Sequence, residues 1–144
     1  MSENDISKIV FECALKVHQK LGPGLLESAY EECLYYELNK HNFKIEKQKK
    51  LPLIYEDVKL DAGYRIDLLI DEKFIVEIKA VEDLTDVHLA QLLTYLRLSN
   101  CKLGLLINFN VSLLKYGVKR VINGRLSTIH HYKLSRFYKK LIIT

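Results

Sequence analysis

The chain is short of the features that mark disulfide-stapled, zinc-stapled or membrane-embedded proteins. Its three cysteines, Cys13, Cys33 and Cys101, are odd in number, and no two have metal-site spacing. Each lies in an apolar periodic stretch, so buried reduced thiols are expected, not disulfides or zinc ligands. No apolar run approaches the roughly 20 residues needed to cross a bilayer. The polar, acidic opening Met-Ser-Glu-Asn-Asp carries no signal-peptide pattern. No membrane partner and a cytoplasmic location are therefore expected. Repeats, low-complexity tracts and internal linkers are also lacking, and only two prolines interrupt the chain.

What is there is ordinary for a globular chain: 144 residues, 49% hydrophobic and 28% charged, enough for a single domain spanning 1–144. The net charge of +4 is too mild to prove a polyanionic partner. Its distribution says more. Lys44, Lys47, Lys49 and Lys50 cluster in one place and Lys115, Lys119, Arg120 and Arg125 in another, followed by Lys133, Arg136, Lys139 and Lys140. Such clusters suit a phosphate backbone, although a solvated surface explains any one of them.

Ile6, Ile9, Val10, Cys13, Ala14, Val17 and Leu21 recur at helical spacing, predicting a helix over residues 5–21 that Gly22-Pro23-Gly24 stops. A second helix is expected from about 25 to 40. Residues 43–49 alternate like a strand, and 51–55 and 58–60 read as short extended pieces, with Pro52 at an edge or irregular position. Residues 64–70 and 74–80 are apolar strands around the turn Asp71-Glu72-Lys73. A helix over 84–99 and a buried strand over 103–107 follow, then a short helix or extended return over 113–122. The order helix, helix, strands, helix, strand indicates an α/β sandwich with a mixed sheet.

The two apolar strands carry Asp67, Glu77 and Lys79. Side chains alternate along a strand, so Ile66, Leu68 and Ile70 are expected on one face and Arg65, Asp67 and Leu69 on the other. Val76, Ile78 and Ala80 likewise oppose Ile75, Glu77 and Lys79. Paired as a hairpin, the strands bring Asp67, Glu77 and Lys79 to one side. Two crowded carboxylates repel, so one takes a proton or a cation sits between them. Hard cations such as Mg²⁺ prefer oxygen ligands and leave positions open for phosphate. Asp67 and Glu77 would supply carboxylates and the Ile78 backbone carbonyl a further oxygen. Lys79 would orient or deprotonate a water, or stabilise charge on the phosphate. A surface Glu77–Lys79 pair beside an unrelated Asp67 is the plain alternative.

Further positions draw attention. Gln91 and Tyr95 stand four apart on one helix face, with His88 one turn earlier, all within roughly 60° of one another. This stripe borders the leucine stripe Leu89, Leu92, Leu93 and Leu96. Arg65 shares the face of Asp67 and would either pair with it or bind phosphate. His130 and His131 are adjacent, so their side chains point apart, and they read as surface residues.

Asp67, nine intervening residues and then Glu77-Ile-Lys79 resembles the core motif of the PD-(D/E)XK nuclease superfamily, with Ile66 where a proline is usual. Gly24-Leu-Leu-Glu27-Ser-Ala-Tyr30 resembles the signature of the GxxExxY protein family, and the likeness runs over about residues 5–123. Gln91-Leu-Leu-Thr-Tyr95 is similar to the Q-x-x-x-Y element of the RecB-type exonuclease-like branch. The resemblance implies a restriction-endonuclease-like α/β/α sandwich with a central mixed sheet. It implies Asp67 and Glu77 as metal ligands, Lys79 as the catalytic lysine, and Gln91 and Tyr95 as residues placing the nucleic-acid strand. Glu27, which on residue chemistry alone would serve the helix dipole, is implied to reach the cation. Tyr30 reads as packing.

The expected function is thus a Mg²⁺- or Mn²⁺-dependent nuclease acting on DNA, with His88 a further strand contact. The alternatives are a non-catalytic nucleic-acid-binding module that keeps the fold, and an interaction or oligomerisation protein. A homodimer is one way for so small a chain to grip a duplex. The basic segment 125–144, with Tyr132 and Tyr138, would grip nucleic acid or cover the core.

Overall fold

A computed structural model describes residues 1–61 and 63–124. The expectations for 125–144, including His130, His131, Tyr132 and Tyr138, lie outside the described residues. Helix α1 (Glu3–Leu21) begins with a reciprocal cap. The Ser2 hydroxyl accepts from the Asp5 N–H, and the Asp5 carboxylate accepts from the Ser2 N–H. It ends at Gly22, whose φ of 66° is open to glycine. Helix α2 (Glu27–Leu38) follows.

The strands are β1 (Ile45–Lys50), β2 (Leu53–Tyr55), β3 (Val58–Leu60), β4 (Arg65–Ile70) and β5 (Phe74–Lys79). Helix α3 (Asp86–Ser99), β6 (Leu103–Asn108), a 3₁₀ turn at Leu114–Tyr116 and β7 (Val118–Ile122) complete the described chain. The extended return is therefore the right reading of 113–122, with one tight turn before it. The five-stranded sheet has the order β1-β4-β5-β6-β7, while β2 and β3 form a separate antiparallel hairpin. Only β5 and β6 run parallel, and α3 supplies the crossover that a parallel pair requires.

Two apolar layers sandwich this sheet. On one face α1 and α2 bury Ile6, Val10, Tyr30 and Leu34 against Leu68, Ile70, Val76, Ile78 and Ile107. On the other, α3 buries Leu89, Leu92, Leu93 and Leu96 against Leu69, Ile75, Leu106 and Val121. This is a mixed α/β fold of the restriction-endonuclease-like type. Cys13 and Cys101 are buried and Cys33 is half-buried, all as free thiols.

One expectation needs correcting. Ile66 does not share a face with Leu68 and Ile70. It packs with Leu69 in the α3 layer. Strict alternation fails because the ladder opens at Asp67. Leu68, Leu69 and Ile70 pair with Val76, Ile75 and Phe74, and the pairing then stops. Toward β1 the register skips Asp67 as well, between Lys47↔Leu68 and Lys49↔Ile66. Opposite it Gln48 has a left-handed φ of 49°.

Candidate active site

The opening in the ladder is filled by the acids themselves. The Asp67 N–H donates to Glu77 Oε2 at 3.1 Å, and the Ile78 N–H donates to Asp67 Oδ2 at 2.8 Å. Each carboxylate thus replaces a backbone acceptor that the broken ladder took away. Glu77 is only 3% exposed. Burial, the Asp67 charge and the side-chain contact with Asp67 raise its pKa well above the ordinary glutamate range, and Lys79 offsets only a little of this. Burial and repulsion from Asp67 thus favour the protonated form of Glu77 unless a cation balances the charge.

Around these acids lies a pocket of about 340 Å³. Glu27 reaches it from the first residue of α2, Tyr64 and Arg65 from the start of β4, and Lys79 from the end of β5. Gln91 and Tyr95 close it from α3. The Lys79 ammonium donates to Gln91 Oε1 at 3.4 Å, which aims the lysine across the pocket. Tyr95 is 5% exposed, and its hydroxyl is pushed up to about 12 by burial, then by Glu77 and Asp67. It stays protonated as a donor. Arg65 lines the pocket and forms no ion pair with Asp67 among the described residues.

Glu27 and His88 each make a structural hydrogen bond. Glu27 Oε2 accepts from the Ala80 N–H at 3.2 Å, tying α2 to the chain that leaves β5. His88 does not line the pocket. Its Nδ1 accepts from the Thr85 N–H at 3.0 Å, closing the N-terminal cap of α3. Among the described residues no three His, Cys, Asp or Glu side chains form a ready ligand cluster. The donor chemistry still fits a hard cation. Asp67 and Glu77 offer carboxylate oxygens to such an ion. The Lys79 carbonyl accepts from Phe109 on the β6 side, while the Ile78 N–H faces β4. Successive strand carbonyls alternate, so the Ile78 carbonyl also opens toward β4 and Asp67.

The sequence reading missed Gln48 and Glu31 beside the acids, and two buried polar groups, Asn108 and His18, that tie loops to the fold. Gln48 Nε2 donates to Asp67 Oδ1 at 3.1 Å and to Glu31 Oε1 at 2.6 Å, bridging two acids. Burial raises the Glu31 pKa most, and the Asp67 charge adds to it. The signal for Glu31 was its spacing of four from Glu27, which puts both on one face of α2. Gln48 had no signal, since its left-handed backbone is a tertiary outcome. Asn108, 2% exposed, accepts from the Val81 N–H at 3.0 Å and donates to the Val81 carbonyl at 2.9 Å. An asparagine closing the apolar run before Phe109 was its signal. His18, buried on α1, bonds the Val111 carbonyl at 2.7 Å through Nε2.

Tyr30 explains the spacing of the Gly24…Glu27…Tyr30 motif. Fully buried, its hydroxyl donates to the Gly22 carbonyl at 2.6 Å and accepts from the Leu25 N–H at 3.1 Å. Its ring stacks on Phe109 at 4.5 Å. The tyrosine thus clamps the glycine loop that delivers Glu27. The basic cluster before β4 is largely spent on neighbours: Lys44 pairs with Glu72, Lys47 with Glu32 and Lys49 with Glu46.

A mixed sheet between helical layers, with paired acids and a lysine where the central ladder opens, defines a nuclease-like protein. The sequence matches the PD-(D/E)XK nuclease superfamily over residues 4–121. This chain belongs to that superfamily. No curated protein and no solved structure matches it.

Proposed function

We propose that the chain is a divalent-metal-dependent nuclease that hydrolyses phosphodiester bonds in DNA, acting in the cytoplasm as one domain over 1–144. The observation that carries this reading is the buried Glu77 pressed against Asp67 beside Lys79. Asp67 and Glu77, with the Ile78 carbonyl and Glu27 at the pocket edge, would hold Mg²⁺ or Mn²⁺. When bound, the cation supplies Lewis-acid polarisation of the phosphoryl oxygen and acidifies a water. Lys79, held by Gln91, would stabilise charge developing on the phosphate and, with solvent taking the proton, orient the attacking water. Its oxygen bonds phosphorus as the bond to the leaving sugar oxygen breaks. Arg65 and the Tyr95 hydroxyl, both at the pocket, favour a phosphate there over a neutral group.

The narrower likeness to the GxxExxY family and the RecB-type branch rests on the motifs Gly24–Tyr30 and Gln91–Tyr95. His88 has no place at the phosphate in this reading, because it caps α3. A homodimer remains a way to span a duplex, and its absence would leave the chemistry unaltered. Incubating single-stranded and duplex DNA with Mg²⁺ or Mn²⁺ tests the proposal. Cleavage is expected, and Glu77→Ala and Lys79→Ala should each abolish it while circular dichroism shows a folded chain. Equal cleavage by both variants would sink the reading, and binding without cleavage would favour a non-catalytic module.

A further inference from the structure

Beside the acid–lysine pocket runs a second groove of about 310 Å³ that shares Tyr64, Gln91 and Tyr95 with it. Its outer wall is Val87, Thr94 and Leu98 of α3, and Leu53 of β2 closes it. The two compartments have opposite chemistry. The pocket carries Asp67, Glu77, Lys79 and Arg65, whereas no residue lining the groove is formally charged. The groove is also within the range of about 300–1,000 Å³ that takes small ligands.

Helix α3 therefore bears two apolar stripes. The inward one, Leu89, Leu92 and Leu96, belongs to the core. The outward one leaves Val87 75% and Leu98 41% exposed, at the two ends of the groove. Between the compartments stands Tyr64, 43% exposed and fixed edge-on to Tyr95 with ring centroids 6.3 Å apart. An aromatic ring at the junction of a charged pocket, where Arg65 and Lys79 stand ready for a phosphate, and an apolar groove matches the division of a nucleotide into phosphate and base.

We infer that this groove holds one unstacked base of single-stranded nucleic acid whose phosphate lies in the Asp67–Glu77–Lys79 pocket. The inference rests on the nuclease reading and narrows its substrate class to single strands, flaps and frayed ends. A base inside a duplex has both faces covered by its neighbours and its edge by its partner, so it offers no apolar surface to the groove. A free base offers both faces, and stacking of that kind tolerates any sequence.

Fluorescence anisotropy with Ca²⁺ present tests this, using a labelled oligo-dT and an abasic oligomer of the same length. The abasic strand keeps every phosphate and lacks only the bases. Oligo-dT is expected to bind about tenfold more tightly than the abasic strand. The double variant Val87→Ser/Leu98→Ser should lose about that factor on oligo-dT and nothing on the abasic strand, whose unchanged affinity also reports an intact fold. Equal binding of the two oligomers by the unaltered chain overturns the base groove and leaves the nuclease reading standing. If neither oligomer binds, the base groove falls, and binding of a duplex of the same length would leave the nuclease reading standing. A concentration-dependent dimer in sedimentation that the double variant abolishes would assign the groove to a second copy and overturn the inference.

Discussion

At the residue scale, Glu77 has an environment that a bound proton or cation must resolve. Its folded-state pKa lies above the unfolded value, so the folded chain binds more protons than the unfolded chain across that interval. Stability without metal should therefore fall as pH rises from about 4.5 through the folded value, then level off. Thermal melts in EDTA across this range should show the fall, and Glu77→Gln should remove it. A melt series of the variant with the same slope would assign the titration elsewhere. Cation binding should release the proton, so metal affinity should rise with pH over the same interval. Gln48 stands at the other side of Asp67, its amide bridging to Glu31. An amide donor between two carboxylates bridges them and holds them apart.

At the scale of elements, β4 is a strand interrupted for a purpose. Its upper half, Leu68 to Ile70, pairs on both sides, while Asp67 pairs on neither and exchanges side-chain bonds with β5. Helix α2 is set against this break by Tyr30, whose hydroxyl closes the glycine loop. Tyr30→Phe should cost about 1 kcal/mol in chemical denaturation. Because the loop delivers Glu27, it should also weaken metal binding in calorimetry, and an unchanged metal affinity would detach the loop from the site. Helix α3 sits close on β6 because Gly104 has no side chain. A Cβ there would meet the Ile75 carbonyl at 2.8 Å and Leu92 Cδ1 at 3.2 Å. Gly104→Ala should destabilise the chain by about 1–3 kcal/mol through overpacking. A denaturation midpoint equal to that of the parent would show that α3 has room to move outward.

At the scale of the whole molecule, the site is a seam between layers. Glu27 comes from the α1–α2 side, Gln91 and Tyr95 from the α3 side, and the acids from the sheet between them. An ion held there binds the folded chain alone, so millimolar Mg²⁺ or Mn²⁺ should raise the melting temperature by about 3–6 °C. The rise should vanish in Asp67→Asn/Glu77→Gln. A rise that survives in that variant would place the cation away from the paired acids. Among the described residues no helix is long and apolar enough to cross a membrane.

Much of this arrangement was written in local pattern. The helical spacing of Ile6 to Leu21, the apolar runs around Asp67 and Glu77, and the leucines of α3 depend on periodicity, which nearest neighbours along the chain dictate. Spacing alone also put Glu77 and Lys79 on one face, and Gln91 and Tyr95 on another. Only the tertiary structure decided where alternation fails. Ile66 changes face because Asp67 gives up its ladder bonds, and no rule of period two contains that event. Gln48 and Asn108 acquired their roles through partners 19 and 27 residues away. The groove beside Tyr64 likewise exists only where a loop, a hairpin and α3 meet. The order of apolar and polar residues determined which elements form, and contacts between distant elements determined what they jointly enclose.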